Sequence, residues 1–178
     1  MLYYCVMMVT GEGKYYGLDI NEDVINERTA ARIIDTGYYI AEKYAEAGYR
    51  GHFDIDMIAS NNKHLYVCES NTRNTGGTDI YKLVYDLYGE DFFSDVYVLN
   101  RNNYKFNNQE SISLKKLIEI VQPILYDKKK KEGLILSSAS PLEYNQMLYT
   151  ILGKNKKRAY DIQEQLYQLL EVFGQPKF

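Results

Sequence analysis

The chain has 178 residues, of which 46% are apolar and 25% are charged, as is usual for one globular domain. Its net charge of −3 argues against nucleic acid as a partner, because nucleic-acid-binding proteins usually carry a basic face. No apolar stretch has the length needed to span a membrane, and residues 1–8 lack the basic flank and cleavage site of a signal peptide. We therefore expect a cytoplasmic protein with no membrane partner.

Two residue types in the composition bear on compartment and partners. Cys5 and Cys68 are too few for a disulfide framework, and each lies in an apolar strand pattern, so we expect both to be buried and reduced. The chain has 19 tyrosines and no tryptophan. A compositional bias of the genome would explain this excess, and a docking surface for another lobe or subunit is the alternative.

The first predicted elements are two strands at residues 2–9 and 15–20, joined by a turn that contains Lys14. Lys14 is the nearest residue to a glycine-flanked, phosphate-binding lysine, but a plain hairpin turn is the simpler interpretation. Residues 24–47 predict a long amphipathic helix that ends at Gly48. The side chains predicted to face its packed side are Ile33, Ile34, Ile40, Ala41 and Tyr44.

Two strands with a polar face are predicted next. Residues 52–59 alternate between apolar and polar types, which places Asp54 and Asp56 on one face of a strand. Residues 64–71 predict a second strand, and the asparagines and serine at 60–63 favour a turn between the two. The residues predicted to share one face of the second strand are Leu65, Val67, Glu69 and Asn71.

An antiparallel hairpin would bring Asp56, Glu69 and Asn71 to one surface, with Asp54 one step along. Like charges that face each other across a sheet repel, so this crowding favours a bound cation or a raised pKa in one carboxyl group. For Asp54 and Asp56 alone, a solvated polar face is the simpler interpretation. His52 and His64 flank the hairpin, and we expect both to be solvated.

The segment after the second strand favours a ligand site. Arg73 follows Asn71 by two positions, and Thr75-Gly-Gly-Thr78 predicts a loop where backbone approaches a ligand closely. Thr78 or Asp79 is expected to cap a helix at residues 78–88, and the N-terminus of a helix attracts anions.

The motif Asp56-Met-Ile58, a hairpin turn and Glu69-Ser-Asn-Thr-Arg73 resembles the metal-binding hairpin of the ATP-grasp superfamily. The thirteen-residue step from Asp56 to Glu69 suits that superfamily. The Thr-Gly-Gly-Thr loop is most similar to the pheganomycin-type peptide ligase branch, and the helix that ends in the Gly48–Gly51 turn resembles a helix and Gly-x-x-Gly turn of family members. The resemblance covers about residues 1–85, and it implies the C-terminal catalytic lobe of an ATP-grasp fold.

By this resemblance, the complete protein would be an ATP-dependent ligase that joins a small carboxylate substrate to an amine through an acyl phosphate. Asp56, Glu69 and Asn71 would bind Mg²⁺ or Mn²⁺, and Arg73 would act in catalysis by neutralising charge on the acyl phosphate. The implied nucleotide-binding residues are Asn71, Thr75, Gly76, Gly77 and Thr78.

The sequence departs from the superfamily in lacking the lysine-bearing lobe and the glycine-rich lid that hold ATP. We therefore expect a C-terminal lobe that is encoded alone or cut from a longer protein, with an N-terminal lobe or second subunit as its partner. The isolated chain is expected to be inactive as a ligase. A stand-alone degenerate lobe that serves as a non-catalytic binding module is the alternative, and a domain that matches the motif by chance is a third interpretation.

Residues 91–178 match no family pattern, and we expect them to pack as an extension on the metal- and nucleotide-binding core at residues 1–90. Lys128–Lys131 is interpreted as a solvated turn. The other predicted elements are a strand at 94–99, an asparagine-rich loop at 100–108, a helix at 112–126, a strand at 133–138 and helices at 141–152 and 158–173. The expected fold class is α+β, a mostly antiparallel sheet packed by helices.

Overall fold

A computed structural model describes residues 3–60, 62, 64–107 and 112–177. The strands are β1 (Val6–Val9), β2 (Tyr15–Ile20), β3 (Asp54–Ala59), β4 (Leu65–Asn71), β5 (Tyr97–Phe106), β6 (Gly133–Ser138), β7 (Gln146–Gly153) and β8 (Gly174–Pro176). The α-helices are α1 (Glu27–Glu46), α2 (Gly76–Tyr88), α3 (Phe92–Asp95), α4 (Leu114–Val121) and α5 (Lys156–Leu170). The predicted α+β class, with mostly antiparallel sheet packed by helices, is confirmed.

The chain divides into two compact units. The smaller unit contains the residues up to Tyr4 and Ile25–Phe92, and the larger unit contains Cys5–Val24 and the chain from Phe93 onward. The sequence suggests a boundary at residue 90, and one boundary between the two units follows Phe92. However, Cys5–Val24 joins the C-terminal residues, because β2 pairs with β5 in one sheet.

The smaller unit consists of α1, the hairpin β3–β4 and α2. Asn26 caps α1 by accepting a hydrogen bond from the Thr29 backbone N–H at 3.0 Å, and Gly48 follows the helix with a φ of +86°. Near the end of α1, the Tyr44 ring packs edge-on against Phe53, with 5.1 Å between the ring centroids. This contact fixes α1 against the start of the hairpin.

The larger unit is built on an antiparallel sheet with strand order β1-β2-β5-β7-β6, and β8 pairs with the C-terminal part of β5. Helices α4 and α5 pack on one face of this sheet and close a hydrophobic core. The helical residues buried in that core are Leu117, Val121, Ala159, Ile162, Leu166 and Leu170.

A buried ion pair joins β2 to β5 beneath α5. The Arg101 Nη2 lies 2.6 Å from the Asp19 Oδ1, and both side chains are at least 94% buried, with exposed fractions of 3% and 6%. The Tyr97 and Tyr160 hydroxyls donate to the Asp19 Oδ2 at 2.9 and 3.1 Å. Burial and the Asp19 carboxylate raise the pKa of Tyr97 far above its ordinary value, so this hydroxyl stays a donor.

The prediction of an asparagine-rich loop at 100–108 is wrong, because residues 100–106 continue the central strand β5. Asn100, Arg101 and Asn103 are buried there. The Asn100 side chain donates to the Thr150 Oγ1 on β7 at 3.1 Å, so polar side chains pair with each other inside the sheet. Residue 108 lies outside the described residues.

The predicted helix at 141–152 is also wrong. A 3₁₀ turn at Ser140–Tyr144 leads to Asn145 in the left-handed conformation, and β7 then pairs with both β5 and β6. A central strand is buried on both faces, so β7 has no polar–apolar alternation that would identify it.

Smaller corrections concern element ends and exposure. Residues 92–95 form the short α3 before β5, the predicted helix at 112–126 ends as a 3₁₀ turn at Gln122–Ile124, and β8 follows the last helix. Leu2, Asn61 and Lys63 lie outside the described residues. Cys5 and Cys68 are both exposed, which corrects their predicted burial, and neither is in a disulfide. Among the described residues, no helix is long and apolar enough to cross a membrane.

The Asp19–Arg101 pair gives a test of this fold. Replacing Arg101 with Met leaves the Asp19 carboxylate buried without a cation, which should lower the free energy of unfolding by about 3–5 kcal/mol. Urea denaturation measures the loss. The matched control is Lys157→Met, which breaks the exposed Lys157–Asp161 pair and should cost less than about 1 kcal/mol. Equal effects of the two substitutions would contradict a structural role for the buried pair.

Candidate functional site

The predicted hairpin is present, and its register brings the polar residues together in two cross-strand pairs. Asp54 lies directly opposite Asn71, and Asp56 lies directly opposite Glu69. Residues two apart on a strand share a face, so all four side chains emerge on one face of the hairpin. We call these four residues the acidic face.

A β-bulge at Cys68 sets this register. Asp56 pairs with Glu69 while the next residue, Met57, pairs with Val67, so Cys68 is the extra residue in β4. Met57 and Asp56 emerge on opposite faces of β3. Their partners Val67 and Glu69 therefore also lie on opposite faces of the hairpin. The prediction that Val67 and Glu69 share a face is therefore wrong.

The opposite face of the hairpin is fixed by a hydrogen-bond relay from α1. The Tyr44 hydroxyl donates to the Ser70 Oγ at 2.7 Å, and the Ser70 hydroxyl donates to the backbone carbonyl of Asp54 at 3.2 Å. Ser70 pairs with Ile55, which places it on the face opposite the acidic one. These two hydrogen bonds therefore hold the backbone that carries Asp54 and Asn71 from the face opposite the acidic one.

The carboxyl groups of the acidic face are crowded. Burial, the Asp54 charge and the Glu69 charge together raise the pKa of Asp56 above its ordinary value. The Asp54 Oδ1 is buried and accepts no hydrogen bond from the part of the chain that the structure describes. A buried carboxylate oxygen without a donor costs free energy.

Arg73 is the nearest cation with a defined contact. Its Nη2 donates to the Asn71 Oδ1 at 3.0 Å, and the Arg73 side chain is exposed. An amide oxygen has two lone pairs, so Asn71 keeps one for another partner. The guanidinium therefore stands beside the acidic face without neutralising its carboxylates directly.

The segment predicted as a Thr-Gly-Gly-Thr loop is the start of α2. Thr75 is the N-cap, and its backbone N–H donates to the Thr78 Oγ1 at 3.1 Å, so Thr78 is the third helical residue and not the cap. Gly76 and Gly77 lie in the first turn, whose backbone N–H groups have no carbonyl partner within the helix. The Tyr3 hydroxyl donates to the Gly77 carbonyl at 3.0 Å and holds this turn.

The remaining candidates are exposed side chains. His52 and His64 are exposed, as predicted, and Lys14 forms an exposed ion pair with Glu12 at 2.8 Å in the β1–β2 turn. Across the part of the chain that the structure describes, no three acidic, histidine or cysteine side chains converge closely enough to hold a metal ion. Any cation on the acidic face would therefore take some of its ligands from water or from a bound molecule.

The sequence identified the residues of the candidate site, but it did not predict the contacts that hold them in place. It gave Asp54 no defined partner, although the register pairs it with Asn71. It gave Ser70 no role, and it placed Tyr44 on the packed side of α1 without naming a partner. The alternation in β4 does place Ser70 on the other face from Asn71, but only the three-dimensional packing shows that Tyr44 reaches it.

No family model matches the chain, and no curated protein matches it.

The raised pKa of Asp56 predicts a pH effect on stability. The folded chain binds this proton more tightly than the unfolded chain, so its contribution is complete below the unfolded pKa and is lost as pH rises through the folded pKa. Urea denaturation between about pH 3 and pH 7 in chelator-treated buffer should show this loss in the wild type and not in Asp56→Asn. Identical pH profiles would contradict the crowding of the acidic face.

Proposed function

We propose that this chain is the C-terminal part of an ATP- and Mg²⁺-dependent carboxylate–amine ligase of the ATP-grasp kind. The observation that carries the proposal is the pairing of Asp54 with Asn71 and of Asp56 with Glu69 on one face, with Arg73 bonded to Asn71. Three carboxylates, one amide oxygen and one guanidinium suit a divalent cation held against phosphate oxygens.

The donor set fits magnesium rather than a softer metal. All four side chains of the acidic face offer oxygen, and the Asp54 Oδ1 is buried with no hydrogen-bond donor. Magnesium commonly keeps several waters and takes only one or two carboxylates, with substrate phosphates completing its shell. A fully formed cage of protein ligands is therefore not required. Asp56, Glu69 and Asn71 would hold the ion, and Mn²⁺ would substitute for it.

When bound, the magnesium–ATP complex supplies the phosphoryl group that activates the substrate carboxylate. The chain's own contribution is to position phosphate oxygens and to balance charge. Arg73 is exposed and anchored through Asn71, so its remaining guanidinium N–H groups are available to an oxyanion. The amine would then attack the acyl phosphate, so that an amide or peptide bond forms and inorganic phosphate leaves.

The N-terminus of α2 supports the same assignment. Four residues separate the end of β4 from the start of the helix, and its 13 residues align enough peptide dipoles to favour an anion at Gly76 and Gly77. Gly76 has no heavy atom within 4 Å of where a Cβ would lie, so a phosphate has room to approach the backbone. Thr75 and Thr78 fix the geometry of this turn.

A second candidate is a non-catalytic lobe that binds a metal–nucleotide complex or a partner protein. The exposed tyrosines favour it: Tyr38, Tyr39 and Tyr66 of the smaller unit are each more than half exposed. Tyrosine is enriched at interfaces because it pairs a large ring with a polar tip. For either function we expect a cytoplasmic location.

Thermal unfolding with and without Mg²⁺ and ADP tests whether the acidic face binds a ligand. A ligand at about one hundred times its Kd should stabilise the wild type by about 2.7 kcal/mol. Glu69→Gln should lose this stabilisation because it removes a carboxylate from the site. Glu42→Gln, on the exposed side of α1, is the matched control and should keep it. Equal protection of all three proteins would place the ligand elsewhere.

The release of ADP by the complete protein distinguishes the two candidates. With ATP, Mg²⁺, a carboxylate substrate and an amine, the ligase should release ADP, and Glu69→Ala should abolish that release. Metal-dependent stabilisation without any ADP formation would favour the non-catalytic lobe.

A further inference from the structure

We propose that a basic surface of the larger unit binds a ligand that carries several adjacent phosphate groups. The basic surface is formed by residues 128–131, in the turn before β6, and by residues 154–158, at the start of α5. These two segments hold eight of the chain's 21 lysines and arginines. The proposed function rests on residues of the smaller unit, so this inference is independent of it.

The charge of the molecule is distributed unevenly. Residues 127–132 and 154–161 contain eight cationic side chains and three acidic ones, a net charge of +5, whereas the whole chain carries −3. The rest of the chain therefore has a net charge of −8. The value for the whole chain thus hides a local excess of positive charge, and such an excess attracts polyanions.

The two basic segments lie at the same end of the sheet. Gly133, the first residue of β6, pairs with Leu152, so the chain enters β6 next to the point where it leaves β7 at Gly153. The Arg158 Nε and Nη2 donate to the Glu132 Oε1 at 3.0 and 2.8 Å. This ion pair ties the turn to the start of α5, and the cations of both segments therefore form one surface.

Backbone hydrogen bonds fix the turn that carries the first four lysines. The Asp127 Oδ1 accepts from the backbone N–H groups of Lys129 and Lys130 at 2.7 and 3.2 Å. The Asp127 carbonyl accepts from the Lys131 backbone N–H at 2.7 Å. The side chains of residues 128–131 are all exposed. An ordered turn therefore presents four ammonium groups to solvent.

The start of α5 carries charges that do not suit a helix N-terminus. Acidic residues are favoured in the first turn, because the N-terminus of a helix bears partial positive charge. In α5 the first turn contains Lys156, Lys157 and Arg158 and no acidic residue. The Asn155 side chain accepts from the Arg158 backbone N–H, while those of Lys156 and Lys157 have no carbonyl partner within the helix. An anion at this end would relieve the repulsion and accept from these N–H groups.

A cavity of about 360 Å³ opens beside the ion pair, and Lys130, Glu132 and Arg158 are in its wall. This volume lies within the range of small-molecule sites. Both bonds from Arg158 go to one oxygen of Glu132, so the Arg158 Nη1 donates to no group among the described residues. A phosphate group in the cavity would accept from this nitrogen and from Lys130.

The residue types favour phosphate over other anionic groups. Seven of the eight cations are lysines, whose ammonium groups bind phosphate as point charges. Planar recognition of carboxylates favours arginine, and Arg158 is already engaged by Glu132. Tyr126 and Tyr160, the aromatic residues nearest in sequence, are partly buried and offer no platform for stacked bases. Phosphates in a row would contact both segments at once.

Calorimetric titration of the full chain with inorganic tripolyphosphate, in chelator-treated buffer without metal, tests the inference. The double variant Lys129→Gln/Lys154→Gln should weaken binding about tenfold, because each segment loses one charge that faces the phosphates. The matched control is Lys105→Gln/Lys177→Gln, which changes the net charge equally. Both control residues lie where β5 meets β8, at the other end of β5 from its pairing with Gly153, and binding should be unchanged.

A short oligothymidylate and polyglutamate identify the source of the negative charge. Tighter binding of tripolyphosphate supports a compact polyphosphate ligand, and tighter binding of the oligothymidylate supports a nucleic acid backbone. The inference is overturned if polyglutamate binds as tightly as either phosphate probe, if both double variants lose affinity equally, or if neither phosphate probe binds the wild type. Glu69→Gln should bind tripolyphosphate as the wild type does, so failure of the proposed cation site leaves this result unaffected.

Discussion

The larger unit depends on the buried pairing of Asp19 with Arg101. Burying a charge is costly unless it is paired and hydrogen-bonded, and here the Tyr97 and Tyr160 hydroxyls complete the bonding of the carboxylate. The pair specifies which residues of β2 and β5 can lie side by side. Gly17 adds to this constraint, because a Cβ at that position would collide with the Asn100 carbonyl on β5. The register of the central strand is therefore set by charge and by close backbone approach together.

The acidic face of the smaller unit differs from the Asp19–Arg101 pair in how its carboxylates are partnered. Its carboxylates come together on one face with Arg73 on the amide of Asn71, and no cation is paired with the buried Asp54 Oδ1. In the larger unit, the buried carboxylate of Asp19 is satisfied by residues of the chain itself. On the acidic face, burial and then the charges of Asp54 and Glu69 raise the pKa of Asp56.

The sequence predicted the hairpin because strict alternation around Asp54 and Asp56 and an asparagine-rich turn are strong local signals. It predicted a strand at 94–99 but not the continuation of β5 beyond residue 99, because Asn100, Arg101 and Asn103 have the composition of a loop, and their burial is allowed only by partners distant in the chain. The bulge at Cys68 was equally hidden, since nothing in the local pattern marks the extra residue. The α2 cap was misplaced because Thr75 and Thr78 are both suitable caps, and their hydrogen bond alone decides between them.

The bulge at Cys68 has a consequence for the chemistry of the site. An uninterrupted ladder that kept Met57 opposite Val67 would set Asp56 opposite Cys68, and Glu69 would face the other side of the hairpin from Asp56. The extra residue advances β4 by one position, so that Glu69 meets Asp56 and Asn71 meets Asp54. The same shift leaves Asn71 as the last residue of β4 on the acidic face, within reach of the Arg73 side chain. A local irregularity in one strand therefore places Glu69 opposite Asp56 and Asn71 opposite Asp54.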